Sequence, residues 1–365
     1  MKVGILTFHF VNNFGGALQA YALKSALKEC DAEAHVVDFR QWFIRFTDMV
    51  RMFPIAKDPK VIISGLKTMP SRLGRRRKFA SFQKNYMDLS RTYYSARELA
   101  ANPPGYDKYV CGSDQIWNSF ITCGVSTPYY AAFEKNSKNK FSYAPSFGDA
   151  SLAPKYIPKV KKLINELGDI SVREAEGIDI VRSLTGKESV QLMDPTFLVD
   201  TSRWEELADK AKIDIPYPEY ILVYIMQQDK TVYEYASRLK GKYNLPIIEI
   251  GRYGYRAHFV NKCMVNLGPL EFLNLFKNAT HVCTNSYHGI IFSIIFGKKI
   301  CIIPCKRFKT RIDSLLNLFN IKLKDDIENL DLDTEYDRGN VKTVIEREKS
   351  RSLAYLKKNL QSINN

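Results

Sequence analysis

Short apolar runs alternate with helix-patterned segments twice along this chain, and that repetition constrains its fold more than any other feature. An apolar run at 3–8 leads into a polar, glycine-bearing loop at 9–16. A helical pattern from Ala17 then sets Leu18, Tyr21, Ala22, Ser25 and Ala26 on one face, and 34–39 reads as the next strand. Strand, loop, helix, strand is the opening of a parallel, doubly wound sheet. Further strands are predicted at 108–111, 141–144 and 170–173, with helices near 155–167 and 175–185.

The prolines at 216 and 218 read as a linker, after which a second series starts. Strands are predicted at 220–226, 246–250, 281–284 and 299–303, and helices at 230–240, 269–277, 288–296 and 310–319. The expected architecture is therefore α/β: two Rossmann-like, doubly wound domains facing a cleft, spanning 1–212 and 218–340. A charged helical segment at 341–365 is expected to cross back to the first domain. A chain of 365 residues suits two domains of this size.

Composition narrows the class. With 45% hydrophobic and 25% charged residues, wholesale disorder is excluded. No uninterrupted apolar run is long enough to span a bilayer, and the N-terminus reads as a buried strand and not a signal peptide. Seven irregularly spaced cysteines argue against a disulfide framework and fit a reducing cytosol. Cys301 and Cys305 have no partners at zinc-ligand spacing, so no metal is expected. The net charge of +15 implies an anionic partner: phosphate, nucleic acid or lipid.

One region breaks the alternation. Residues 42–78 carry Trp42, Phe43, Ile44, Phe46, Met49, Met52 and Phe53, then Lys67, Arg72, Arg75, Arg76, Arg77 and Lys78. This is the pattern of a segment that meets anionic headgroups at a membrane surface. A helical hairpin with a solvated basic face is the competing account. No nucleic-acid module accompanies the charge, so nucleic acid is not an expected partner.

Four loops are candidates for chemistry. Asn13, Gly15 and Gly16 sit between the first strand and its helix, where glycines admit a ligand and a helix N-terminus favours an anion. A simple structural turn would look the same. Ser113, Asp114, Gln115 and Asn118 follow a buried strand that ends at Gly112, at the end of the sheet where ligands collect; a capped turn is the alternative. Arg173 closes another short strand, and a guanidinium suits bidentate contact with phosphate or carboxylate. A surface salt bridge to Glu174 or Glu176 competes with that role. Finally, Asn285-Ser286-Tyr287-His288-Gly289 joins a strand to the most apolar helix of the chain. A histidine there is placed to donate or accept a proton near neutral pH.

Taken in order, these segments resemble the polysaccharide pyruvyl transferase family. The matching pieces are Gly-Ile-Leu-Thr-Phe with its Asn-rich loop, Cys-Gly-Ser-Asp-Gln-Ile-Trp-Asn, Ile-Ser-Val-Arg-Glu, Met-Asp-Pro-Thr-Phe-Leu and Ser-Tyr-His-Gly, across residues 1 to about 320. The resemblance implies a fold like the GT-B glycosyltransferases and transfer of a pyruvyl unit from phosphoenolpyruvate, as donor substrate without a cofactor, to sugar hydroxyls as a ketal. It implies His288 as the proton-transfer group or a donor contact, and Arg173 as a donor-binding cation. Arg311, Asn13, Gly15, Gly16, Ser286 and Tyr287 complete the expected donor set; Ser113, Asp114, Gln115 and Asn118 are the expected substrate-binding set. The implied acceptor is a sugar or lipid-linked glycan, and the implied location is the cytoplasm, at the inner face of the membrane if 42–78 docks there.

Two positions depart from the family's pattern. Gly16 stands where many members carry an aspartate, and Ser286 where many carry an arginine. Lys306, Arg307 or Lys309 would then compensate, or the subgroup uses another donor or acceptor. The alternatives are a GT-B-type glycosyltransferase using a nucleotide sugar, or a non-catalytic glycan-binding relative.

Overall fold

The computed structural model describes residues 1–43, 59–148, 151–226, 229–251, 257–303, 309–323, 334 and 336–361, with side chains of the long helix from residue 69 and of the 309–318 helix from residue 310. Its strands are β1 (Lys2–Leu6), β2 (Glu33–Val36), β3 (Lys108–Cys111), β4 (Lys140–Ser142), β5 (Ser171–Val172), β6 (Val190–Gln191), β7 (Ile221–Tyr224), β8 (Ile247–Ile250), β9 (Lys262–Met264), β10 (His281–Thr284) and β11 (Lys299–Ile302). Its α-helices are α1 (Phe14–Glu29), α2 (Pro59–Tyr86), α3 (Ala96–Ala101), α4 (Ile157–Asn165), α5 (Ala175–Thr185), α6 (Thr201–Asp209), α7 (Lys230–Tyr243), α8 (Pro269–Asn278), α9 (Tyr287–Ile295), α10 (Lys309–Leu318) and α11 (Arg338–Gln361). The chain divides into two compact units, one of 1–48, 80–199 and 343–365, the other of 49–79 and 200–342.

The first unit holds a parallel sheet in the order β2-β1-β3-β4. Every residue of β3 is buried, as expected for a parallel sheet covered on both faces. The β5–β6 pair joins beside β4 through hydroxyls: Ser142 Oγ donates to Ser171 O at 2.8 Å, and Ser171 Oγ donates to Ser142 O at 2.8 Å. Two lysines lie buried at the strand starts, where Lys108 Nζ donates to Lys138 O at 3.1 Å and Lys140 Nζ to Ala131 O at 3.3 Å. Burial pushes both ammonium pKa values down. Lys108 also donates to Asn359 O at 2.5 Å, and Lys358 pairs with Asp169 at 2.7 Å. These bonds, with Tyr355 OH on Ser142 O at 3.0 Å, are why the C-terminal part of α11 groups with the first unit.

The second unit holds the parallel sheet β11-β10-β7-β8-β9. Its start differs from the expected boundary at 212–218, because α6 belongs to this unit. The reason is amphipathicity: Trp204, Leu207 and Ala208 are the buried face of α6. Trp204 meets Phe292 edge-on at 5.3 Å, and Asn274 Nδ2 donates to Ala208 O at 2.9 Å. Part of α2 also groups here, since Lys78 pairs with Glu271 at 2.7 Å and donates to Asn266 O at 3.0 Å.

That packing changes the reading of the basic region. Arg72 and Arg75 are buried, whereas Arg76 and Arg77 are exposed. The apolar half of the region, 44–58, lies outside the described residues, as do Lys306 and Arg307 and the side chains of Lys67 and Lys309. Among the described residues, no helix is long and apolar enough to cross a membrane.

Candidate active site

In the first unit the predicted residues converge at the C-terminal end of the sheet, where successive strands deliver their loops. The α1 N-terminus is capped by Asn13, whose side chain accepts from Gly16 N at 3.3 Å. Gly15 and Gly16 occupy the second and third helical positions, so α1 begins earlier than the apolar pattern from Ala17 predicts. A Cβ on Gly16 would lie 3.7 Å from Asp114 Oδ2, which puts a carboxylate beside this helix start.

Asp114 itself is held at φ 64° and is buried beside Arg173. Arg173 Nη1 is 3.0 Å from Asp194 Oδ2 and 3.7 Å from Asp114 Oδ1, while its Nε is 2.8 Å from Glu174 Oε1. One guanidinium with a side chain 1% exposed therefore neutralises part of the charge of three buried carboxylates. A donor anion at Arg173 would have to compete with these acids. Arg173 does pair with Glu174, but the pair is buried and not the surface salt bridge of the competing account.

The other three residues of this group are fastened to the frame. Ser113 Oγ donates to Ala144 O at 2.6 Å, its N–H to Gln19 Oε1 at 3.2 Å, and its carbonyl accepts from Thr7 Oγ1 at 3.0 Å. Asn118 Nδ2 donates to Gln115 Oε1 at 2.9 Å, and the pair lies hard against Gly148, which adopts φ 81°. Gln115 is the more exposed of the two.

Sequence reasoning missed several members. Gln19 links α1 to β1 and β3 through Thr7, Phe8 O, Gly16 O and Ser113. Asp194 caps the 195–198 turn through Thr196 N at 3.1 Å, a role its Asp-Pro sequence could have signalled. A buried pair also lies beneath the first loop: His9 Nε2 is 2.9 Å from Asp38 Oδ1, with Arg40 and Thr92 donating to the same carboxylate. Burial alone would push the Asp38 pKa up. The bonds from His9, Arg40 and Thr92 outweigh it and hold the carboxyl well below the usual range.

In the second unit, β10 ends at Thr284 and α9 begins at Tyr287. Ser286 is the N-cap, its Oγ accepting from Gly289 N at 3.3 Å. Thr284 Oγ1 accepts from Ser286 N at 3.0 Å and donates to Tyr224 O at 2.6 Å, while Asn285 Oδ1 accepts from Met226 N at 2.8 Å. The turn is thus locked to β7. Gly289 is required by close approach, since a Cβ there would fall 2.5 Å from Thr284 Oγ1 and 3.1 Å from the Tyr224 ring.

His288 occupies the second position of α9 and is 8% exposed, its ring perpendicular to Tyr287 at 5.3 Å. The Arg311 guanidinium lies 5.5 Å from the centroid of the same Tyr287 ring. A helix N-terminus, an imidazole and a guanidinium therefore meet around one tyrosine. The first-turn N–H groups and the positive end of the helix dipole favour an anion here, and Arg311 adds a full charge. Among the described residues, no group of three or more histidine, cysteine, aspartate or glutamate side chains is placed to hold a metal ion.

The family model for polysaccharide pyruvyl transferases matches residues 13–307, a span that holds every predicted site residue except Arg311. The chain belongs to the polysaccharide pyruvyl transferase family. A search of curated proteins gives no significant match. Among solved structures, a Listeria monocytogenes protein assigned as a UDP-N-acetylglucosamine 2-epimerase aligns over 100% of this chain and 97% of its own, with TM-score 0.53 and 9% identity. The Rickettsia bellii UDP-N-acetylglucosamine 2-epimerase covers 100% and 99% (TM-score 0.45, 10% identity). The Streptomyces glycosyltransferase SsfS6 covers 99% and 100% (TM-score 0.39, 11% identity). At such identity the Listeria match speaks to the fold alone, an α/β fold with parallel sheets like that of the GT-B enzymes.

Proposed function

We propose that this family member transfers a pyruvyl group from phosphoenolpyruvate to two sugar hydroxyls of a bacterial surface polysaccharide or its lipid-linked precursor. The observation that carries the reading is the meeting of His288, Arg311 and the α9 N-terminus around Tyr287. Phosphoenolpyruvate carries a carboxylate and a phosphate, and a cationic helix end suits either. Arg311 supplies a cation to the turn in which Ser286 replaces the family's usual arginine.

In the chemistry this assigns, a proton is delivered to the methylene carbon of phosphoenolpyruvate, with His288 as the donor. A sugar hydroxyl attacks C2, the C2–O bond to phosphate breaks, and a second hydroxyl closes the ketal. One hydroxyl proton replaces the proton given to carbon and the other leaves with phosphate, so the balance is phosphoenolpyruvate plus a diol giving ketal plus phosphate. Arg173 acts in this scheme as a positioning residue that fixes Asp114 and Asp194. Asp114 is assigned to sugar hydroxyl recognition. Contact with an anionic membrane surface falls to Arg76 and Arg77 and the adjoining segment, since Arg72 and Arg75 are buried.

The test is phosphate release from phosphoenolpyruvate in the presence of candidate glycans. His288→Ala is expected to slow release about 100-fold or more, the scale of a lost proton-transfer group, with the melting temperature retained. Undiminished release from His288→Ala would remove the residue from the mechanism.

A further inference from the structure

Two cations meet one buried carboxylate just past the C-terminal end of β2. Asp38 receives His9 Nε2 on Oδ1 at 2.9 Å and Thr92 Oγ1 on Oδ2 at 2.6 Å. Arg40 adds a bidentate pair, Nε donating to Oδ1 at 2.7 Å and Nη2 to Oδ2 at 2.9 Å. The other ring nitrogen of His9, Nδ1, lies 3.1 Å from Thr7 O. A carbonyl oxygen and an ionised carboxylate can only accept, so both nitrogens donate and the His9 ring is an imidazolium. One negative charge therefore faces two positive ones, and the cluster carries positive charge in excess.

Arg40 presents that excess to solvent. His9 is fully buried, whereas the Arg40 side chain is 34% exposed. Asp38 takes the side of the guanidinium formed by Nε and Nη2. Its end, where Nη1 and Nη2 each point one N–H outward, has no partner among the described residues. The backbone is equally fixed: Tyr93 N donates to Asp38 O and Arg40 N to Tyr93 O, both at 2.8 Å, and Asp38 N donates to Ser90 Oγ at 2.9 Å. A guanidinium pinned along one edge, with a free two-pronged end, is preorganised for bidentate contact with an oxyanion. An arginine that only solvated the surface would need no such support, because burying an imidazolium and a carboxylate beneath it carries a desolvation cost.

Its place in the fold favours the acceptor over the donor. Strands β2, β1 and β3 are parallel, so the chain leaves β2 at the end where β3 leads to Asp114. Gln41, the next residue, donates from Nε2 to Thr122 O at 2.9 Å, and Thr122 Oγ1 donates to Asn118 O at 2.9 Å. Arg40 is thus tied to the loop expected to bind the sugar, whereas the α9 start belongs to the other unit.

We propose that Arg40, oriented by Asp38 and His9, binds an oxyanion of the acceptor, so that the enzyme selects a sugar phosphate or a uronate over a neutral sugar. The assignment to the acceptor rests on the transferase reading above. Calorimetry tests it on the wild type, Arg40→Gln and Arg40→Lys, with a hexose 1-phosphate, a hexuronate, a neutral methyl hexoside, phosphoenolpyruvate and phosphatidylglycerol vesicles. Arg97→Gln, which removes an exposed arginine of the same unit, controls for net charge.

The wild type is expected to bind at least one of the two anionic sugars more tightly than the neutral hexoside. Arg40→Gln should lose roughly tenfold to hundredfold of that affinity, the scale of lost hydrogen bonds to a charged group. Arg97→Gln should match the wild type. Arg40→Lys keeps a cation opposite Asp38 but not the two-pronged end, so its loss should be intermediate, and it carries the test if Arg40→Gln fails to fold. Equal affinity in wild type and both Arg40 variants overturns the proposal. So does an equal loss in Arg97→Gln, no preference for an anionic sugar, or binding to vesicles alone. Phosphoenolpyruvate affinity should survive in Arg40→Gln, and its loss there would move Arg40 to the donor and overturn the assignment. No phosphoenolpyruvate binding by the wild type counts against the transferase reading, while the titrations with anionic sugars still read the oxyanion contact by itself.

Discussion

At the start of α1, Asn13 accepts a hydrogen bond from Gly16 N at 3.3 Å; at the start of α9, Ser286 accepts one from Gly289 N, also at 3.3 Å. Both turns follow a buried parallel strand, and both place glycine at the third helical position. What surrounds them is opposite in charge. The α1 start faces Asp114, in a network where three carboxylates share one arginine. The α9 start carries His288 at the position held by Gly15 in α1, with Arg311 beside Tyr287. The same backbone device thus has a carboxylate beside it in one unit and a guanidinium near it in the other.

The two arginines break or sustain this contrast most forcefully. Arg173→Ala leaves three carboxylates buried without their cation and is expected to destabilise the protein by about 3–5 kcal/mol. Arg311→Ala removes a cation–π contact and is expected to cost about 1 kcal/mol or less, while weakening donor binding. Urea unfolding of both variants decides it. Equal losses would show that Arg311 is as structural as Arg173.

The two glycines sharpen the comparison at smaller scale. Gly289→Ala drives a methyl group to 2.5 Å from Thr284 Oγ1, and about 1–3 kcal/mol of destabilisation is expected from such overpacking. At Gly16 the nearest atom to a new Cβ is Phe8 O at 3.6 Å, an ordinary contact. Gly16→Ala is therefore expected to be neutral or to stabilise by up to about 1 kcal/mol through reduced chain entropy. Thermal melts that rank the pair the other way would contradict the packing described for these turns.

The His9–Asp38 pair is read through pH. Asp38 has its pKa held down in the folded protein, so its stabilisation is complete above the unfolded carboxyl value and is lost as pH falls through the folded one. Asp38→Asn is expected to flatten the fall in stability on acidification below about pH 4. An unchanged acid limb would show that the bonds from His9, Arg40 and Thr92 do not stabilise the charged form.

Much of this was legible in the sequence because parallel strands buried on both faces read as short apolar runs. The strands at 108–111 and 281–284 are found as expected, and the Ser286–His288 turn sits at the predicted strand-to-helix junction. Two-residue β6 and three-residue β9 carry too little pattern to be seen. The start of α1 reads late in the sequence because Phe14, Gly15 and Gly16 look like loop residues unless Asn13 is taken as the cap. Arg173 illustrates the harder limit. Its neighbour Glu174 is visible in sequence, but Asp114 and Asp194 lie 59 and 21 residues away and meet it only through the sheet. Nor does spacing reveal that Gln41 and Thr122 meet, since one hydrogen bond joins their distant loops.

The central claim is that the α9 start is the donor-anion end, and ligand-induced stabilisation tests it most directly. Phosphoenolpyruvate at about 100 times its Kd is expected to stabilise the wild type by about 2.7 kcal/mol, read as a rise in melting temperature. The rise should be largely lost in Arg311→Ala, and a nucleoside diphosphate should give none. An equal rise in wild type and Arg311→Ala, or a rise with the nucleoside diphosphate and not with phosphoenolpyruvate, would contradict the account.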